Sequence, residues 1–166
     1  MCRLYADRHD VPSWTADASA LDCASTLLDT VANAPAQGLE TDAYPLRTAR
    51  QALAVMRSVA PTVAAAARAE ILLTATFIAY AEDLLTGQLD PRSVNPAWHI
   101  DPHDVDVDSA ITRTLRQARF AESLARLRPQ DAASVALVRE LSRYRFANDI
   151  YDRDDALMRA ARASAR

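Results

Sequence analysis

Lysine is missing altogether: all nineteen basic residues of the 166 are arginine. We read this as a bias of genome composition, because both residues serve on a surface and only the planar guanidinium fork distinguishes arginine. Glycine is almost missing too, with two copies. That scarcity argues against turn-dense β folds, and abundant alanine argues for helices. No stretch alternates apolar and polar residues long enough to make a strand, and DVDVD at 104–108 is too acidic for one. The two cysteines, Cys2 and Cys23, form neither a CxxC pair nor a cluster with histidine. A zinc site is therefore not expected, and a disulfide between the two stays open. A net charge of −3 leaves no basic footprint for nucleic acid. No apolar run reaches the roughly 18 residues of a membrane span, so none is expected. The opening MCRLYADRHD has no apolar core of the export-signal kind.

What is present is helical periodicity. Half the residues are hydrophobic and a quarter charged, which suits one globular domain with a sizeable core. Residues 1–16 read as irregular, anchored by Leu4, Tyr5, Val11 and Trp14. A first helix is expected over about 18–33, capped by Asp17 or Ser19. Leu21, Ser25, Leu28 and Ala32 share one face, beside Ala24, Leu27 and Val31. Pro35 and Gly38 end it. Pro45 opens a second helix, about 46–58, with Leu46, Ala49, Leu53 and Met56 in register.

The third helix, about 62–86, is the longest. Ile71, Ala75, Ile78, Ala81 and Leu85 form one stripe, and Leu72, Thr76 and Ala79 a second. Apolar residues nearly all round predict a central helix with a small exposed sector at Glu82 and Asp83. Gly87 is expected to stop it in the left-handed conformation. Asp90–Pro91, Asn95–Pro96 and Asp101–Pro102 disfavour helix before each proline, and Trp98 is expected to tie this loop back to the body. A shorter helix is expected over about 109–127, capped by Asp108 or Ser109, with Ile111, Leu115, Ala118 and Phe120 inward. Pro129 opens a last helix with Val135, Val138, Leu141 and Tyr144 on one side, extending to about residue 162. The expected fold is all-α: a single domain of about five helices around a long central one. Residues 1–146 form the domain and 147–166 a helical or frayed tail.

Three groups invite a chemical reading. Asp101, His103, Asp104, Asp106 and Asp108 resemble a cation site, but the central glycine and terminal glutamate of an EF-hand loop are missing. Carboxylates before a helix fit the helix dipole, and that reading is preferred. Asn148, Asp149, Asp152, Asp154 and Asp155 are loosely similar to the second metal motif of terpene cyclases. Ala156 stands where the third ligand belongs, and no aspartate-rich partner motif lies upstream. His9, His99 and His103 have no metal spacing, and His99 beside Trp98 reads as packing. Trp14 and Trp98 could flank a groove, but anchoring is the preferred role. Cys23 lies on an apolar helix face and reads as a small core residue. No serine-hydrolase elbow, P-loop, dinucleotide fingerprint or HExxH occurs.

Four segments, in order, resemble the helical scaffold domain that precedes the catalytic domain in large bacterial murein L,D-transpeptidases. They are LYADRHDVPSWT, ANAPAQGLETDAY, AEILLTATFIAYAEDLLTGQLDPRSVNPAW and LARLRPQDAASVALVRELSRYR. Gly38, Leu39, Tyr44, Gly87, Asp90–Pro91, Trp98, Leu127, Pro129, Leu137, Leu141 and Tyr144–Arg145 carry the match, over about residues 4–146. An aromatic usual in the last helix pair is replaced by Ser134. In that family the chemistry belongs to a downstream domain, whose cysteine nucleophile sits in an SxGCxR-like signature with a histidine upstream. Here Cys23 sits in LDCAS and no such signature occurs.

The resemblance therefore implies a non-catalytic, peptidoglycan-related scaffold in the periplasm or cell envelope. Its expected partner is a catalytic transpeptidase domain or another cell-envelope protein, in cis or in trans. No catalytic, cofactor-binding or metal-ligating residue is assigned, and no cofactor is expected. Two alternatives stay open: a small all-α metal-dependent enzyme using the acidic clusters, and a degenerate gene remnant.

Overall fold

Helices form here where alanine-rich segments meet a side chain able to cap their first turn. The computed structural model describes residues 11–58, 60–97, 106–116 and 120–164. Among them no strand occurs, as the composition predicts. Helix α1 spans Ala18–Ala32, and of the two candidate caps Asp17 does the work, accepting from the Ala20 N–H at 2.8 Å. Its buried face is Ala24, Leu27, Leu28 and Val31. Leu21, Ser25 and Ala32, placed inward by the periodicity, form a half-buried flank instead.

A 3₁₀ turn, Ala34–Gln37, follows and stops at Gly38 in the left-handed region, φ 84° and ψ 8°. A second 3₁₀ turn covers Thr41–Ala43, and Pro45 precedes helix α2, Leu46–Met56. Helix α2 ends two residues short of the expected 58. Its Arg57 guanidinium turns back to α1, donating to Asp22 Oδ1 at 2.9 Å and Ser25 Oγ at 2.8 Å. In so exposed a place the ion pair adds little stability.

Helix α3, Val63–Thr86, is the central element, with Thr62 capping the Ala65 N–H at 3.1 Å. Its buried face is Ala69, Glu70, Leu73, Thr74, Thr76, Phe77, Tyr80, Ala81 and Leu84. This corrects the sequence expectation by a rotation about the helix axis: Ile71, placed at the head of the core stripe, is 57% exposed. A helix apolar nearly all round carries no strong periodic signal, and its buried polar residues, Glu70, Thr74 and Thr76, mark the inner face instead. By length and composition alone α3 would cross a membrane, against the expectation of no such stretch. Here its inner face is spent on the core of the domain.

Gly87 ends α3 with φ 85° and ψ 155°, its N–H bonded to the Asp83 carbonyl at 2.9 Å. The positive φ was expected, but ψ lies outside the left-handed helical region, in a conformation essentially reserved for glycine.

The expected loop holds a one-turn helix α4, Pro91–Val94, capped by Asp90. The expected 109–127 helix is two helices, α5 at Val107–Arg116 and α6 at Phe120–Ala125. Asp106, rather than Asp108 or Ser109, caps α5 by accepting from the Ser109 N–H at 3.0 Å. Helix α7, Ala132–Ser164, starts at the Asp131 cap rather than at Pro129, and residues 147–164 continue it without a break. Leu4, Tyr5, Trp98, His99 and Asp101–Pro102 lie outside the described residues.

Helix α2 packs along α3 and against α1, while α5 and α6 close over α3 and α1. Trp14 sits at the centre of the core, 1% exposed. Its ring meets Phe77 at 5.7 Å and Phe120 at 5.4 Å, both edge to face, and Phe77 and Phe120 meet at 5.8 Å. Val11, expected to anchor beside it, is half exposed.

Glu70 holds Trp14 in place. Its carboxylate accepts from the backbone N–H of Ser13, from the Trp14 N–H at 3.1 Å and from Thr15 Oγ1 at 3.1 Å. One turn on, Thr74 Oγ1 accepts from Trp14 Nε1 at 3.0 Å. A second knot ties the far end of α3 to the 3₁₀ turns. Gln88 accepts from the Glu40 N–H at 2.7 Å and donates to the Glu40 carbonyl at 3.0 Å. Gln88 Nε2 also reaches Tyr44 Oη, which donates to Asp83 Oδ2 at 2.7 Å. Asp83, read from sequence as surface, is thus half-buried and engaged. Tyr44 and Tyr80 meet edge to face at 5.7 Å.

Three outcomes are expected. Glu70→Ala strands buried N–H groups and should lower unfolding stability by about 2–4 kcal/mol, whereas Arg57→Ala should cost under about 0.5 kcal/mol, both read by urea denaturation. Gly87→Ala should cost about 1–3 kcal/mol through backbone strain alone, since a Cβ there meets nothing within 4 Å.

Burial, then the hydrogen bond and charge of Asp83, push the Tyr44 phenol above its ordinary value. A group raised in the fold stabilises it fully below the unfolded value, about 10, and loses that contribution as pH rises above it. Denaturation midpoints should therefore fall above about pH 10, and the fall should be shallower in Tyr44→Phe.

Candidate functional site

The acidic groups singled out by sequence fall largely outside the described side chains. Asp106 caps α5, which supports the helix-end reading for that residue. Asp101, His103 and Asp104 lie outside the described residues, as do His9, His99, Cys2 and Trp98. Asn148 to Asp155 run along the α7 backbone. Among the described residues no three of His, Cys, Asp or Glu come together as a metal would require. Cys23 is a free thiol, half-buried against the core. Trp14 is a core anchor, as preferred.

A different feature stands out. Between the C-terminal end of α3, the α6–α7 connection and the first turns of α7 lies an open cleft of about 690 Å³. Leu39, Leu84, Val135 and Val138 give it apolar walls, and Gln37, Thr86 and Gln130 a polar rim. Gly87, which ends α3, and Pro129, ahead of the Asp131 cap of α7, both line it. Arg128 lines it and makes no ion pair with a carboxylate among the described residues. Its guanidinium lies against the Tyr80 hydroxyl, which is fully buried. Burial raises the Tyr80 phenol above its ordinary value, and the Arg128 charge offsets part of that rise. Neither Arg128 Nε nor Tyr80 Oη has a well-aligned hydrogen-bond partner. Buried orphans of this kind are uncommon, so the pair is costly where it stands.

Helix α7 is the second feature. It meets the body chiefly at the 3₁₀ turn Ala34–Gln37. Arg145 donates to the Pro35 carbonyl. Leu141 Cδ2 lies 3.4 Å from where a Cβ on Gly38 would stand, an ordinary contact, so glycine is required there by its positive φ rather than by the approach of α7. Val138, Leu141 and Arg145 face inward, half-buried. The expected stripe is corrected at both ends, since Val135 is 54% and Tyr144 73% exposed. Leu137 and Phe146 are as open, at 70% and 69%. At 100° per residue, Leu137 and Tyr144 share one flank of the covered strip, and Val135 and Phe146 the other. The apolar arc of α7 is thus wider than the contact that covers it.

Sequence reasoning placed Leu137, Val138 and Tyr144 on this helix but missed Arg128 and the cleft. Nothing in a linear pattern joins residues 84–87 to 128–138, since that juxtaposition arises only when α7 docks on Gly38.

A family model described as Scaffold domain matches residues 1–141. Comparison with curated proteins and with solved structures returns no match. The matched segment takes in the Glu70 clamp, the Gln88 knot, the cleft and the docked turns of α7, and the chain belongs to the Scaffold domain family.

Proposed function

We propose that this chain is a non-catalytic scaffold related to peptidoglycan L,D-transpeptidases, which positions a catalytic partner domain by packing against it. The family membership supports a scaffold role in general. The observation that carries the finer reading is α7, whose apolar arc extends past its contact with the body on both flanks. Apolar side chains left open beside a docked strip mark a surface built to be covered. Tyr and Phe are suited to it, since aromatic residues anchor interfaces at small entropic cost. The partner is a transpeptidase catalytic domain in the cell envelope, joined in cis or recruited in trans. Cys23 packs half-buried against the core and is given no role in the chemistry.

Three measurements test this. A transpeptidase assay on the chain alone should show no turnover, and mass spectrometry should find no thioester at Cys23 with a stem-peptide substrate; a thioester there would sink the reading. Mixed with an L,D-transpeptidase catalytic domain, the chain should bind it, and Tyr144→Asp with Phe146→Asp should weaken binding by about a hundredfold with the thermal midpoint unmoved. Binding indifferent to both substitutions would contradict the role given to α7.

A further inference from the structure

The cleft beside Arg128 has a chemistry of its own, and it is separate from Tyr144 and Phe146 on the outer flanks of α7. We infer that it is a peptide-binding site that receives a free C-terminal carboxylate whose last side chain is apolar.

Three observations converge on that ligand. The first is the cation. Arg128 lines the cleft without a carboxylate partner among the described residues, and its Nε is a buried donor left unmet. A guanidinium is a planar fork matched to a carboxylate, and a charged acceptor would compensate its burial better than water at the rim. The second is the wall. Leu84, Val135 and Val138 line the same cleft as the cation, so a ligand that fills it offers an apolar group as well as an anion. A C-terminal residue does so, with carboxylate and side chain on one carbon. The third is the rim. Gln37, Gln130 and Thr86 present amide and hydroxyl groups that can pair with a peptide backbone. A fatty acid would satisfy the cation and the wall but leave this rim unused. A bare inorganic anion would leave the wall unused as well. Of Gln130's hydrogen-bonding groups, Nε2 is held by the Ala125 and Arg128 carbonyls, which fixes the side chain at the mouth.

Tyr80 supports the site from beneath. Its hydroxyl lies against the guanidinium without a hydrogen bond of good geometry. A carboxylate that draws Arg128 outward by a fraction of an ångström would realign that contact.

The test uses the full chain and four probes followed by NMR titration and calorimetry. They are the tetrapeptide acetyl-Ala-Ala-Ala-Leu with a free carboxylate, its C-terminal amide, octanoate and inorganic phosphate. The free acid should bind, with shifts confined to the Arg128 Nε–H and the amides of 84–87 and 134–138. The amide, octanoate and phosphate should each bind about tenfold or more weakly, the size of a lost charged hydrogen bond. Arg128→Met keeps the aliphatic stem over Tyr80 and should match the loss seen with the amide. Ser134→Phe, which fills the cleft without touching its charge, should abolish binding of the acid. Equal binding of acid and amide, octanoate as tight as the peptide, unchanged binding in Arg128→Met, or no binding at millimolar peptide would each overturn the inference. These outcomes are independent of whether α7 binds a catalytic domain through Tyr144 and Phe146.

Discussion

The fold hangs on one buried carboxylate. Glu70 gathers the N–H groups of Ser13 and Trp14 and the hydroxyl of Thr15, and so fixes a segment that has no regular structure of its own. Irregular backbone cannot be buried without partners for its polar groups. The carboxylate supplies them, and in return its own desolvation is met by three donors. With the backbone held, the indole can enter the core, bond Thr74 and stand edge-on to Phe77 and Phe120. Phe120 begins α6, so the clamp reaches the elements that close the domain. Without it the aromatic cluster would lose its centre, and α3 would lose the indole from its inner face while α2 still packs along it.

Much of this was legible in the sequence, and the failures have a common cause. Asp17, Pro35, Gly38, Pro45, Thr62 and Gly87 act through local backbone chemistry, so their roles or their boundaries emerge from a few residues of context, whereas the short helix capped by Asp90 was expected as loop. Facing is harder. The inner side of α3 was misjudged because Ile71, Ile78 and Leu85 are as apolar as Leu73, Phe77 and Leu84. The decisive signals were the polar ones, Glu70 and Thr74, and their partners lie some 55–60 positions away in sequence. The split between α5 and α6 has no glycine or proline to announce it. The cleft was illegible for the same reason as the Glu70 clamp, since both are made by elements distant in sequence. Asp83 shows the limit plainly: an aspartate beside a glutamate reads as surface, yet it is the acceptor that holds Tyr44.

Stability and the proposed function divide between the two ends of α3. The N-terminal half anchors Trp14 and the core. The C-terminal half, with Gln88 and Tyr44, locks the 3₁₀ turns on which α7 docks, and so decides where the cleft opens and which flanks of α7 stay bare. The proposed scaffold role fits this division, with a packed core at one end and a surface helix left partly uncovered at the other. The backbone of α7 continues as helix to Ser164.

The central claim is that the bare flanks of α7 are where a catalytic domain sits. Hydrogen–deuterium exchange of the chain with and without an L,D-transpeptidase catalytic domain tests it most directly. The account predicts slowed exchange along 132–146, with α1 and α2 unchanged. Protection confined to α1 or α2, or none anywhere on α7 at saturating partner, would contradict it.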